Sequence, residues 1–438
     1  MRVVILALLL TLVVSPAHAV TVTRVVSPGG IEAWLVEDHA NPVIALELSF
    51  SGSGATADPV GKEGLAYMAS SLLDEGAGDM DSLAFQTKVE DLSIHFSFDS
   101  IRDNFSAGLK TLTENRDTAF DLFRLALTQP RFDPDAVERV RAQIFAVLKR
   151  EAEDPDTVAA KAWFRTVYPD HPYGRSNSGS EASIKAITLA DLKAFPGARF
   201  GRDRMIIGVA GDITADQLKG LLDRTFGTLP AKAAVPTIPD QAPAAKGQII
   251  VMDKAIPQSI GMFGHGGVRR ADPDWYAAYI LNYVMGGGGF SSRLMEEVRE
   301  KRGLAYSVYS YLYPLDHSAV YLGGVATRNA RFGESLTLIR EHWRRMAQEG
   351  PTAEELKNAK TYLTGSWPLQ LDGTGQIAAV LVVVQRDGLG IDYLDKRNGY
   401  LEAVTLEDAR RVAKRLFQPD ALTVVVVGQP EGVTATAK

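Results

Sequence analysis

One spacing occurs twice in this chain and limits what can be built from it. Thr188 to Gly211 and Thr405 to Gly428 span the same interval. Each opens on a threonine with an aspartate three positions later, Asp191 or Asp408. A hydroxyl that caps a helix and an acid that reaches back to the cap amide mark a helix start. Each interval closes on an apolar, β-branched run ending in glycine, at 204–212 and 422–428, which predicts a strand buried on both faces. A second correspondence lies upstream. Residues 43–51 and 259–266 both predict strands, each followed by a small polar loop and an apolar helix. The chain is therefore a duplication. Between the halves, residues 230–247 are rich in Pro and Ala and lack periodicity, as an extended linker does. The assignment is a first domain at 21–230, a linker at 231–246 and a second domain at 247–432. The tail after Gln429 is small and polar and is expected to fray. Amphipathic helices are predicted at 136–152 and 352–365, and hairpin-like stretches at 93–98 and 306–315. The fold class is α+β: two homologous domains, each a mixed, mostly antiparallel sheet flanked by helices.

The N-terminus carries an export signal. Arg2 precedes an apolar run at 3–14, then Ser15-Pro16 and Ala17-His18-Ala19. A basic start, a short apolar core and small residues at the cleavage site predict a signal peptide at 1–19 and delivery to a periplasm. The run is short for a membrane span, and no membrane association is expected after cleavage. The chain has no cysteine, which excludes a disulfide framework, a lipid-anchoring cysteine and a thiol nucleophile. A net charge of −6 gives no electrostatic footprint for nucleic acid.

Chemistry concentrates at 286–306. Four glycines, Gly286 to Gly289, lead into FSSRLMEEVREKRGLAY. Without a following Gly-Lys-Ser/Thr, this is not a phosphate loop. Gly287, Gly288 and Gly289 instead suit a loop whose backbone approaches a ligand closely. A helix is predicted at 292–302, stopped by Gly303, and then a strand at 305–313. The reversal brings Arg299 and Tyr306 toward one point. A guanidinium fork and a phenol are donors suited to a carboxylate or a peptide carbonyl. The alternative is that Arg299 pairs with Glu296 or Glu300 on a solvated helix while Tyr306 fills the core.

In the first half, residues 64–74 predict a helix. Its buried stripe is Leu65, Met68, Ala69, Leu72 and Leu73. Another face carries Tyr67, Ser70 and Ser71, where an inverted H-x-x-E-H zinc motif has His, Glu and His. Phenol and hydroxyl groups are poor zinc ligands. The remaining histidines are scattered, no two standing three or four apart.

These segments resemble the M16 family, the insulinase and pitrilysin type that includes mitochondrial-processing-peptidase-like proteins. The resemblance spans nearly the whole mature chain. It rests on the repeat, on G-L-A-x-M at Gly64, on Glu153-Asp154-Pro155, and on His171-Pro172-Tyr173-Gly174. It rests above all on Ser292-Arg293-Leu294 with the V-R-E-K-x-G-L-A-Y run that ends at Tyr306. The resemblance implies an M16, LuxS-metallopeptidase-like fold in which Arg299 and Tyr306 bind the substrate backbone. It places the family's two histidines on Tyr67 and Ser71, its general-base glutamate on Ser70, and its third ligand within the carboxylate-free stretch 143–148. It thus implies no cofactor and no catalytic residue in this chain. The implied role is that of the non-catalytic subunit of a two-subunit peptidase, binding peptide substrate beside a zinc-bearing homologue as heterodimer. A structural scaffold and a self-associating peptide-binding module are the rival readings, and an active peptidase with an unorthodox metal site is a third.

Overall fold

The computed structural model describes residues 21–437; the expected signal peptide lies outside the described residues. Two sheets carry the duplication. From one edge inward, the first runs His95–Ser100, Asn104–Leu112, Val43–Ser51, Met205–Gly211 and Glu32–Glu37, with Thr23–Val26 added at the far edge. The second runs Ala305–Leu315, Ser318–Arg328, Gln258–Gly266, Thr423–Gly428 and Ile249–Asp253. The order is the same. In each sheet one pair is parallel, Glu32–Glu37 with Met205–Gly211 and Ile249–Asp253 with Thr423–Gly428, and the other pairs are antiparallel. The α+β class with two mixed, mostly antiparallel sheets is therefore the observed one.

The repeated spacing sets the centre of each half. Thr188 and Thr405 both cap helices, Leu189–Arg199 and Leu406–Leu416, with Asp191 and Asp408 bonding back to the cap amides. The strands that follow sit inside their sheets and are almost wholly buried, as an apolar run without alternation demands.

One face of each sheet carries its own half's core. A helix from the other half covers the opposite face. Pro155–Val167 lays Ala159, Trp163 and Val167 on Val320, Leu322, Val425 and Val427 of the second sheet. Thr374–Arg386 lays Ile377, Ala378, Leu381 and Val384 on Trp34, Val36, Ala45 and Ala210 of the first. Both approaches are close. A Cβ on Gly208 would stand 2.3 Å from the Ala378 carbonyl oxygen, and one on Gly264 would stand 3.0 Å from Trp163. Each visiting helix also donates to a strand carbonyl: Gln385 Nε2 to Ile207 at 2.9 Å and Trp163 Nε1 to Thr423 at 3.1 Å. The halves are interlocked rather than strung on a linker. Residues 231–246 are irregular, and they are tied down, with Ala234 donating to Ala198, Gln241 to His317 and Ala244 to Val167.

Three expectations need correction. The tail does not fray: the Thr436 amide donates to the Ile249 carbonyl and the Thr436 hydroxyl accepts from the Ile249 amide, both at 2.8 Å. The helix expected at 64–74 is only Leu65–Ser70 and then tightens into turns. The Ser70 and Ser71 hydroxyls both donate to the Tyr67 carbonyl, at 2.8 and 3.1 Å, competing with the backbone ladder. The helix expected at 292–302 becomes a wide π-turn over Met295–Glu300. No single helix among the described residues is long and apolar enough to cross a membrane.

Candidate functional site

The stretch from Gly286 to Tyr306 runs through a wide turn and ends on the first residues of the edge strand Ala305–Leu315. The Lys301 amide donates to the Glu296 carbonyl, five residues back, and Leu304 donates to Val298, six back. Gly303, at φ +56°, makes the reversal, as expected of a helix stop. Wide turns of this kind concentrate at functional sites. The strand then begins irregularly. Ala305 faces Thr327 and Ser307 faces Ala326, so Tyr306 is the extra residue of a bulge. A bulge turns its side chain out of the pleat, and Tyr306 is 76% exposed. It does not fill the core.

Arg299 meets it there. The guanidinium lies over the Tyr306 ring at 5.1 Å and over the Phe290 ring at 4.7 Å. Phe290 is itself 65% exposed. Cation–π contact with the two rings holds the guanidinium in place without using its N–H donors. The helix ion-pair alternative fares poorly. Glu296 is paired with Lys301 at 2.9 Å, not with Arg299. Glu297 accepts from Lys301 at 2.7 Å and Arg302 at 2.6 Å, and these cations hold its carboxyl down at about 2. Arg299 has only Glu300, at 3.8 Å, beyond hydrogen-bond reach. The neighbouring cations are consumed and Arg299 is left available.

The glycine loop completes the surface. A Cβ on Gly286 would stand 2.5 Å from the Ser310 amide nitrogen, so only glycine lets the loop lie on the edge strand. Gly287 and Gly289 are exposed and Gly288 partly so, beside Phe290. Arg293 of the same motif is used differently. Its Nε and Nη2 grip both oxygens of Glu355 at 2.5 and 2.6 Å, tying the turn to the cap of the Ala353–Gly365 helix. The sequence reading gave Phe290 no role. A phenylalanine straight after a glycine run in a polar loop was the signal available.

The other candidate positions do not converge on a metal. Tyr67 is half-buried and packs against the first core, as do Phe145 and Leu148 of the carboxylate-free stretch 143–148. Burial, with Glu151 and Asp99 nearby, pushes its phenol up, so it stays neutral. The hydroxyls of Ser70 and Ser71 are turned back to the helix backbone. Among the described residues no three His, Cys, Asp or Glu side chains are grouped so as to hold a metal ion. The donor set present does not fit zinc.

A sheet of this order, repeated, with an Arg/Tyr pair at the edge of the second, is an M16-type architecture. Two family descriptions match the chain: "Insulinase (Peptidase family M16)" over 34–181 and "Peptidase M16 inactive domain" over 186–363. The chain belongs to the M16 peptidase family. It is 29% identical to "Non-peptidase homolog YmxG" of Helicobacter pylori, over 76% of this chain and 77% of that protein. The crystal structure of a peptidase M16 inactive domain from Pseudomonas fluorescens is similar at a TM-score of 0.88 and 28% identity, covering 95% of this chain and 99% of that one. A protease from Helicobacter pylori shares the fold at a TM-score of 0.84 and 20% identity, covering 93% and 99% of the two chains.

Proposed function

We propose that this chain is the non-catalytic, peptide-binding subunit of a two-chain M16 zinc peptidase, exported to a periplasm and paired there with a zinc-bearing homologue. The observation that carries the reading is the Arg299 guanidinium over the rings of Phe290 and an outward-turned Tyr306, in a chain whose metal positions hold Tyr67, Ser70 and Ser71. The similarity to a non-peptidase homologue supports a chain without its own hydrolytic chemistry. In this reading the in-plane N–H groups of Arg299 and the Tyr306 hydroxyl donate to a carbonyl or carboxylate of an extended peptide. The glycine backbone at 287–289 lets that peptide lie close. The partner supplies the zinc; this chain binds and orients. Co-expression with a zinc-bearing M16 homologue, followed by size-exclusion chromatography, is expected to give a heterodimer with chelator-sensitive cleavage that neither chain has alone. A partner that is equally active without this subunit would end the proposal.

A further inference from the structure

The duplication places a second site where the zinc motif would recur. The helix Leu65–Ser70 and its following turn bury Leu65, Ala66, Met68, Ala69, Leu72 and Leu73. The helix Trp275–Asn282 and its following turn bury Ala277, Ala278, Ile280, Leu281, Val284 and Met285 at one constant offset. The same offset carries Tyr67, Ser70 and Ser71 onto Tyr279, Asn282 and Tyr283. In the first half Tyr67 and Ser71 are half-buried and Ser70 is buried. In the second, Tyr279 and Tyr283 open into a cleft of about 710 Å³, within the range of small-ligand sites.

The cleft is aromatic and cationic. Trp275 stacks on Tyr279 at 6.4 Å and Tyr283 on Tyr362 at 5.1 Å. Arg397 lies over Trp367 at 4.3 Å, and Arg270 lies over Trp275 at 4.8 Å. Arg270, Arg386 and Arg397 line it against a single carboxylate, Asp387. The far wall is the other side of the Thr374–Arg386 helix. One side of that helix is buried on the first sheet, and Ala379, Val380 and Val383 face the cleft, Val383 at 42% exposure. Apolar helix residues are usually covered, and here Ala379 and Val383 stay exposed on the second side. Leu369 stands 68% exposed on the lining. The cleft also adjoins the peptide site: Gly287 of the loop and Leu312 of the edge strand both line it. Tyr306 and Leu312 are separated by roughly 20 Å of extended chain.

We infer that this cleft is a side-chain subsite for the same peptide, taking a large aromatic residue next to an acidic one. The inference rests on the peptide-binding reading. The aromatic wall and Val383 desolvate the ring, and the excess of guanidinium charge favours the neighbouring carboxylate. The test is fluorescence anisotropy with the full chain and two labelled peptides of about twelve residues. Both are Ala/Ser-rich; one carries Phe-Glu near its centre and the other Ala-Ala. The Phe-Glu peptide is expected to bind at least about tenfold tighter. Val383→Trp, which narrows the cleft at its far wall, and Leu369→Ser, an exposed position that leaves the core alone, should each shrink that preference severalfold. Arg299→Ala should weaken both peptides alike. Equal affinity of the two peptides for the wild-type chain, with Arg299-dependent binding retained, would overturn the subsite and leave the peptide-binding reading standing. Failure of both peptides to bind would overturn both.

Discussion

At the residue scale the cations of the turn are unequally committed. Lys301 and Arg302 are bound to Glu297 and Arg293 to Glu355, whereas Arg299 is held by rings rather than by an acid. Removing a group held by exposed rings should not unfold the chain. Phe290→Ala is therefore expected to behave as a weaker Arg299→Ala, lowering kcat/KM of the reconstituted complex by several-fold with an unchanged Tm. It frees the guanidinium to rotate, at a cost of about 0.5–1 kcal/mol for an exposed cation–π pair. A fall in Tm of the size seen for core variants would show that Phe290 is structural. The metal positions give a second residue-scale expectation. Placing His, Glu and His at Tyr67, Ser70 and Ser71 should not yield stoichiometric zinc by elemental analysis. No carboxylate stands in residues 143–148 to complete the set. One zinc per chain after dialysis would contradict this.

At the element scale the exchanged helices decide stability. Gly208→Ala drives a methyl onto the Ala378 carbonyl and the Leu381 Cβ, at 2.3 and 2.9 Å. Overpacking of this kind costs about 1–3 kcal/mol, and the measured Tm is expected to fall for both halves in one transition. Two separate transitions would show that the halves fold independently. Glu47, between Gly108 and Gly208 in register, is pushed up from 4.5 to about 7 by burial. Its carboxyl is raised in the folded state, so its protonated form is favoured there. Stability from this group is complete below about pH 4.5 and is lost as pH rises through 7. Glu47→Gln should raise Tm at pH 8 and leave it unchanged at pH 4. Much of this layer could be read from sequence. The Thr–Asp caps at 188 and 405 and the runs before Gly211 and Gly428 name their elements by local chemistry alone. The helix exchange could not, because an apolar stripe such as Ile377, Leu381 and Val384 does not say which sheet it covers. The Tyr306 bulge was equally hidden, since it depends on the register with Ser318–Arg328. Arg299 and Tyr306 were legible as a pair from the motif, but their stacking was not.

At the scale of the whole molecule, the duplication has been put to unequal use. The second half carries the Arg299–Tyr306 turn and an aromatic cleft, whereas the corresponding first-half positions Tyr67, Ser70 and Ser71 lie half-buried or buried against their own core. In the function proposed above, the chain holds substrate and a second, zinc-bearing chain completes the site. The most direct test is the steady-state kinetics of the reconstituted complex with Arg299→Ala in this subunit, beside its thermal melting. Charge-assisted hydrogen bonds to a peptide are worth about 1.5–3 kcal/mol, so kcat/KM is expected to fall roughly ten- to hundredfold. Tyr306→Phe loses one neutral donor, about 1 kcal/mol, and should fall less. The Tm of either variant should stay where it is. An unchanged kcat/KM for Arg299→Ala, with a lowered Tm matched by Glu300→Ala, would show that Arg299 serves a helix ion pair and would contradict the account.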